Sequence, residues 1–285
     1  MYYLYNVFQA ERFPKGAEIS MDCFEYCQNI VKEHDKDRFL LALTARGTRR
    51  EALFALFAFN HEIAKTREIV SETTIGLIRL QWWRDALTAI YEGGEPPKNL
   101  IVEALQKTIK IYDLPPEHFE TLILGREFDL ENVLPANMEG VMTYVDYAAL
   151  PLTKLCMIVL GDDYNDSAEN ITRTYALSGI LRATPYFTAQ GRCYLPADLM
   201  QAHNIMPEAL YRDGNADGLE TVIQAVWNKA QGFAADKART NKMLGSMRVI
   251  AQYHLKAIKK ADFDIYSPRI NVKSPIFYVK LLLSN

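Results

Sequence analysis

Apolar residues along this chain recur at spacings of three and four and almost nowhere in strict alternation. Three-and-four spacing lines one stripe of a helix, whereas alternation would mark half-buried strands. The pattern predicts helices over about 20–34, 38–45, 48–70, 74–92, 98–112, 116–130, 139–160, 167–190, 196–202, 206–211, 217–242 and 244–260, with a short last one at about 273–283. No Asn-Gly or Asp-Gly turn sits between β-branched runs, so hairpins are not expected.

The breaks between these runs carry helix-end chemistry. "EGGEPP" (92–97) closes one helix with glycines and opens the next with prolines. Pro115 and Pro116 stand at a helix start, where a missing N–H costs little. In "GDDYNDSAEN" (161–170), Gly161 suits a C-cap and Asp166 or Ser167 an N-cap. "YRDGNADG" (211–218) reads as a loop. With no low-complexity linker and no repeat of fixed period, the reading is one all-α domain over 1–285.

Composition narrows the function classes. At 285 residues, 49% hydrophobic and 24% charged, the chain is long enough for a sizeable core. A net charge of -3 gives no electrostatic footprint for nucleic acid. Cys23, Cys27, Cys156 and Cys193 lack zinc-site spacing, so reduced thiols in a cytosol-like compartment are expected. "MYYLYNVFQAERFPKG" lacks signal- or transit-peptide character, and no apolar run reaches about 18 residues. These features fit a bacterial cytoplasmic protein, peripheral to the inner membrane or free of it, or a processed chain on the mitochondrial matrix side. No His falls at HExxH spacing, and no P-loop, GxGxxG or GxSxG is present.

One window is out of balance. Acids make up about one residue in eight, yet Asn170–Ala197 contains none and holds Arg173, Arg182 and Arg192. Within it lies "GILRATPYFTAQGRCYLP" (179–196), and earlier comes "RREALFALFAFNHEIAKTREIVSE" (49–72). Together these segments resemble the squalene/phytoene synthase family of head-to-head prenyltransferases, an all-α isoprenoid-synthase fold. Arg49 and Arg50 ahead of "ALFALFAF", "ILR" (180–182), "GRCYLP" (191–196) and "AQYHLKAIKKADFDIYSPRI" (251–270) carry the likeness, which spans about 38–283.

The resemblance implies two aspartate-rich motifs on facing helices, which in the family hold Mg²⁺ against a diphosphate. Here the first falls on Ala64, Lys65 and Glu68, and the second on Ala183 and Phe187. Mg²⁺ takes oxygen ligands. Alanine and phenylalanine offer no lone pair, and Lys65 brings a repelling charge, so a neutral-to-basic site is expected around Arg182. The family's glycine-containing stretch after a tyrosine reads "YVDYAALPLT" (144–153), with Leu150 and Thr153 where small residues would leave tunnel space. Pro185, between Ala183 and Phe187, would kink a helix that had to hold ions. "AFN.EIA", "VSE.TIGL.R.Q.W" and "IY" within 57–91 are similar to a catalytically degenerate subgroup tied to assembly of respiratory complex I.

The expectation is therefore a non-catalytic family member with no cofactor, no metal and no catalytic residue. A reshaped pocket is expected from Ala64, Lys65, Glu68, Arg182, Ala183 and Phe187, with Arg49, Asn60, Tyr144, Leu150, Thr153 and Tyr194 as further pocket or partner contacts. The implied partners are subunits or assembly intermediates of a membrane respiratory complex, with membrane or isoprenoid lipid contact as an additional reading. Two alternatives stay open: a Mg²⁺-dependent prenyltransferase using Glu68 with Asp162, Asp163 or Glu127, and a carrier using the tunnel without chemistry. "DDYND" (162–166) has literal DDxxD spacing but reads as a helix-capping loop, and "REFDLEN" (126–132) as a charged helix end. In "LQWWRD", Trp82 and Trp83 point about 100° apart, so only one can face the core fully.

Overall fold

The computed structural model describes residues 22–236 and 238–271, together with Phe277 and Leu281. Among the described residues the chain is helical, without strands. The helices are α1 (Cys23–His34), α2 (Lys36–Ala42), α3 (Thr48–Ala64), α4 (Thr66–Ile69), α5 (Thr73–Tyr91), α6 (Leu100–Tyr112) and α7 (Pro116–Glu131). They continue as α8 (Met138–Ala148), α9 (Leu150–Leu160), α10 (Asp166–Ala189), α11 (Ala197–Ala202), α12 (Pro207–Asp213), α13 (Leu219–Ala234) and α14 (Lys242–Lys260), with a 3₁₀ turn at Pro268–Asn271.

The central element is α3. From Ala52 to Asn60 every residue is buried, large side chains alternating with alanines. A helix apolar all round can only be satisfied by neighbours on all sides. Phe59 meets Trp83 and Phe119 edge-on, with centroids 5.3 and 5.5 Å apart. Trp83 is the core member of the tryptophan pair; Trp82 is half-buried, its ring set edge-on to Trp83. A second apolar cluster lies around Leu177, Leu181, Leu195, Ile223 and Val226. α10 and α14 run through both clusters: Ala168 and Ile250 belong to the first, Leu181 and Leu255 to the second.

Two predicted helices divide and a third ends early. The one over 48–70 breaks at Lys65, where the Thr66 hydroxyl donates to the Glu62 carbonyl at 3.4 Å and competes with the backbone ladder. The one over 139–160 breaks at Ala149, two residues before Pro151, which has no N–H to continue the ladder. The Tyr147 carbonyl packs there against Gly125, where any Cβ would sit 3.3 Å from it. The one over 217–242 ends at Ala234, because Asp236 accepts from Ala238 N and Asn241 caps α14 instead. Asn165, rather than Asp166 or Ser167, caps α10, which runs through Pro185 to Ala189. The helix expected at 273–283 lies largely outside the described residues, but Phe277 and Leu281 are helical and buried, and the Phe277 ring packs 4.8 Å from that of Tyr253.

Candidate functional site

A cleft of about 260 Å³ lies where α2, α3, α7, α8, α10 and α14 converge. Its charged groups come largely from the α1–α2 junction. Asp35 caps α2, accepting from Arg38 N at 2.9 Å, and takes the Arg38 guanidinium at 2.5 Å. Asp37 is buried, 3.2 Å from Arg182 on α10 and 3.7 Å from His254 Nε2 on α14. α7 adds Arg126, which donates to Asp129 at 3.2 Å, to Asn60 Oδ1 at 3.3 Å and to the Ala148 carbonyl at 3.4 Å. Three guanidinium groups thus face three carboxylates.

Aromatic rings close one side. Tyr194 stacks on Tyr144 with centroids 4.6 Å apart, and Phe187 stands edge-on to Tyr194 at 4.8 Å. The Arg192 guanidinium lies 5.1 Å over Phe187, an arrangement attractive to a cation. The Tyr194 hydroxyl donates to Asp129 at 2.6 Å. Burial first, and then the Asp129 charge, push the Tyr144 and Tyr194 phenols above their ordinary range, so both remain donors at neutral pH.

Arg38, Ala149 and Tyr175 line both the cleft and a smaller adjoining void of about 20 Å³. That void is lined by Leu41, Phe57, Leu152, Thr153 and Met247 among others, and has room for about one water.

The squalene/phytoene synthase family model matches residues 31–276. The chain belongs to the squalene/phytoene synthase family. Among its relatives, the human protein named NADH dehydrogenase (ubiquinone) complex I, assembly factor 6 is 27% identical over 270 residues, covering 91% of this chain and 81% of that one. A presqualene diphosphate synthase of Rhodopseudomonas palustris is 28% identical, covering 74% of this chain and 78% of the other. In fold, the chain is similar to a dehydrosqualene synthase crystallised with a ligand (TM-score 0.76, 18% identity, 92% and 94% coverage). It is also similar to squalene synthase HpnC from Alicyclobacillus acidocaldarius (TM-score 0.72, 19% identity, 85% and 94% coverage).

Of the residues singled out from sequence, Ala64, Arg182 and Phe187 line the cleft, as do Asn60 and Tyr144. Tyr194 supports Phe187 and Tyr144 from behind. Lys65 turns to Glu62 at 2.6 Å, and Glu68 is exposed, 3.7 Å from Arg192. Ala183 sits half-buried on α10 outside the lining. Thr153 lines the small void, and Leu150 is buried at the start of α9. Arg49 is exposed at the far end of α3, 15 residues and roughly 22 Å from Ala64.

A family member that bound Mg²⁺ here would need oxygen donors on α3–α4 and α10. The corresponding positions offer one carboxylate, Glu68, turned toward Arg192. Asp35 and Asp37 are each matched to an arginine. Among the described residues no group of three or more His, Cys, Asp or Glu is disposed to hold a metal ion. The donor set does not fit Mg²⁺. The alternative ligands are occupied elsewhere: Glu127 takes Arg84 at 2.6 Å, and Asp162 accepts from Asn241 at 2.9 Å in the loop before α10.

Sequence reasoning missed most of the charged lining. "EHDKDR" (33–38) has the look of a solvated turn, yet its Asp37 is buried. "REFDLEN", taken as a charged helix end, contains the buried pair Arg126 and Asp129. The signal was their register: with Phe119, Leu122, Ile123 and Leu130 they share the inward face of α7.

Proposed function

We propose that this chain is a non-catalytic squalene/phytoene synthase-like protein that serves in assembly of a respiratory NADH dehydrogenase complex. In this reading Ala64, Lys65, Glu68, Arg182, Ala183 and Phe187 form the remodelled mouth of the family's substrate site. The observation that carries it is the coordinated replacement of oxygen donors on both facing helices, with Phe187 built into an aromatic stack where a ligand would stand. Ionising a prenyl diphosphate needs its leaving charge neutralised by metal, and this donor set supplies no cradle. The names of the relatives over most of their length support the assembly role. The void adjoining the cleft, about 20 Å³, offers little room for a long isoprenoid chain, which weighs against a carrier.

Two measurements test this. Purified protein given farnesyl diphosphate and Mg²⁺ is expected to release no diphosphate; metal-dependent release would overturn the non-catalytic reading. Deleting the gene is expected to deplete the intact NADH dehydrogenase complex on native gels, with rescue by the wild-type chain. An undiminished complex would overturn the assembly role.

A further inference from the structure

Residues 221–260 hold eight Lys or Arg and one acid, Asp236, a net charge of +7 in a chain whose total is -3. The rest of the chain therefore carries -10. Charge segregated this far favours a partner of opposite sign. The segment forms α13 and α14, which both pack on α10 and meet each other where the Trp227 indole donates to the Leu255 carbonyl at 2.8 Å. The Lys259 ammonium lies 5.4 Å over the Trp227 ring, and Arg248 donates to the Ala238 carbonyl at 2.9 Å. Spaced by three and four residues, Arg248, Gln252, Lys256 and Lys259 share one stripe of α14. Gln224 and Gln231, three and four residues from Trp227, stand on the side of α13 turned to α14.

Lys256 and Lys259 are exposed and Arg248 is half-buried; among the described residues none of the three is in an ion pair. Asp236 accepts from Ala238 N near the Arg248 end, and Glu220 and Asp262 bound the other. Even with those two included, residues 220–262 keep +5. Among the described residues of 221–260 no large apolar side chain is exposed, so nothing here enters the apolar layer of a membrane. The Trp, Phe and Tyr rings of the segment are engaged: Trp227 by Lys259 and Phe263, Phe233 by Arg173 and Lys229, Tyr253 by Phe277. Bases would find no free ring to stack on. Gln224, Gln231 and Gln252 instead offer primary amides, each both donor and acceptor, which pair with the N–H and C=O of a main chain. Arg248 and Lys259 lie about 16 Å apart along α14, the reach of about five residues of extended chain.

We propose that the α13–α14 face binds an acidic, extended polypeptide segment of a partner protein. Its carboxylates rest on Arg248, Lys256 and Lys259 and its main chain on the glutamine amides. The ion pairs formed are solvent-exposed, so binding is weak and salt-sensitive, as suits a transient contact. None of these residues lines the cleft. The inference therefore goes beyond the assembly role, and a chain dispensable for complex assembly would still bind.

The test is fluorescence anisotropy of three labelled probes with the full chain at low salt: an end-blocked octapeptide of alternating Asp and Ser, its Asn-Ser counterpart, and a pentauridylate of the same charge as the first. The Asp-Ser peptide is expected to bind about tenfold more tightly than the Asn-Ser peptide, more tightly than the pentauridylate, and progressively less as salt is raised. Lys256→Glu with Lys259→Glu is expected to weaken it by about tenfold. Lys98→Glu with Lys110→Glu, the same change of net charge on exposed lysines elsewhere, is expected to leave most of the affinity intact. Gln224→Ala with Gln252→Ala is expected to cost about threefold without altering the salt dependence. If the charge-reversed chain fails to fold, Lys256→Gln with Lys259→Gln carries the same expectation at about half the loss on a logarithmic scale. Equal losses from the two lysine pairs would reduce the effect to net charge and overturn the face. No binding, or equal affinity for the two peptides, would overturn carboxylate recognition. Tighter binding of the pentauridylate, or self-association abolished by the lysine reversal, would give the face to nucleic acid or to a second copy and overturn the polypeptide assignment.

Discussion

At the scale of single residues, the cleft is governed by buried charges that hold one another. Arg126 and Asp129 are both buried, so removing either leaves the other without its counter-charge. Arg126→Met or Asp129→Leu alone should cost about 3–5 kcal/mol, while the double variant should recover most of that, read from urea unfolding as a double-mutant cycle. His61 supplies a pH dependence. Burial, then the neighbouring His34 ring stacked 4.7 Å away and Lys65, push its pKa down to about 4, with Asp35 opposing and Arg38 adding to the shift. The unfolded chain therefore binds a proton that the folded one refuses. Stability from this group is complete above pH 6.5 and is lost as pH falls from there toward 4. A His61→Gln variant should flatten the unfolding midpoint across that interval; an unchanged slope would contradict the assignment.

At the scale of elements, close approach and interruption matter more than propensity. Gly125 lets α7 lie against the Tyr147 carbonyl, so Gly125→Val should destabilise by about 1–3 kcal/mol in thermal or denaturant unfolding. Pro185 withholds an N–H inside α10, and Pro185→Ala should raise stability by up to about 3 kcal/mol. The positions of most helices were legible because three-and-four periodicity and cap residues are local properties. The breaks at Lys65 and Ala149 were harder to see. The Thr66 hydroxyl competes for a carbonyl only in the folded geometry, and Pro151 is equally at home in the first turn of a new helix. Ala64, Arg182 and Phe187 were found through family likeness. Asp37, Arg38 and His254 were not, because their meeting is a product of tertiary packing between the α1–α2 junction and α14.

At the scale of the whole molecule, α10 and α14 join two apolar clusters, and the chain's last described residues complete one of them. Phe277 is 1% exposed and packs on Tyr253. Phe277→Ala should therefore cost about 3–5 kcal/mol, measured as a lowered midpoint of global unfolding. A small change would mean that the C-terminal segment is not part of the cooperative unit.

Arg38, Ala149 and Tyr175 belong to the cleft and to the small void at once, so the two spaces cannot be reshaped independently. On the reading proposed above, aspartates placed at Lys65, Ala183 and Phe187 would add oxygen donors for a hard cation but no room for a hydrocarbon chain, because the adjoining void stays at about 20 Å³. Regaining prenyl transfer would then require metal ligands and chain space to be built together.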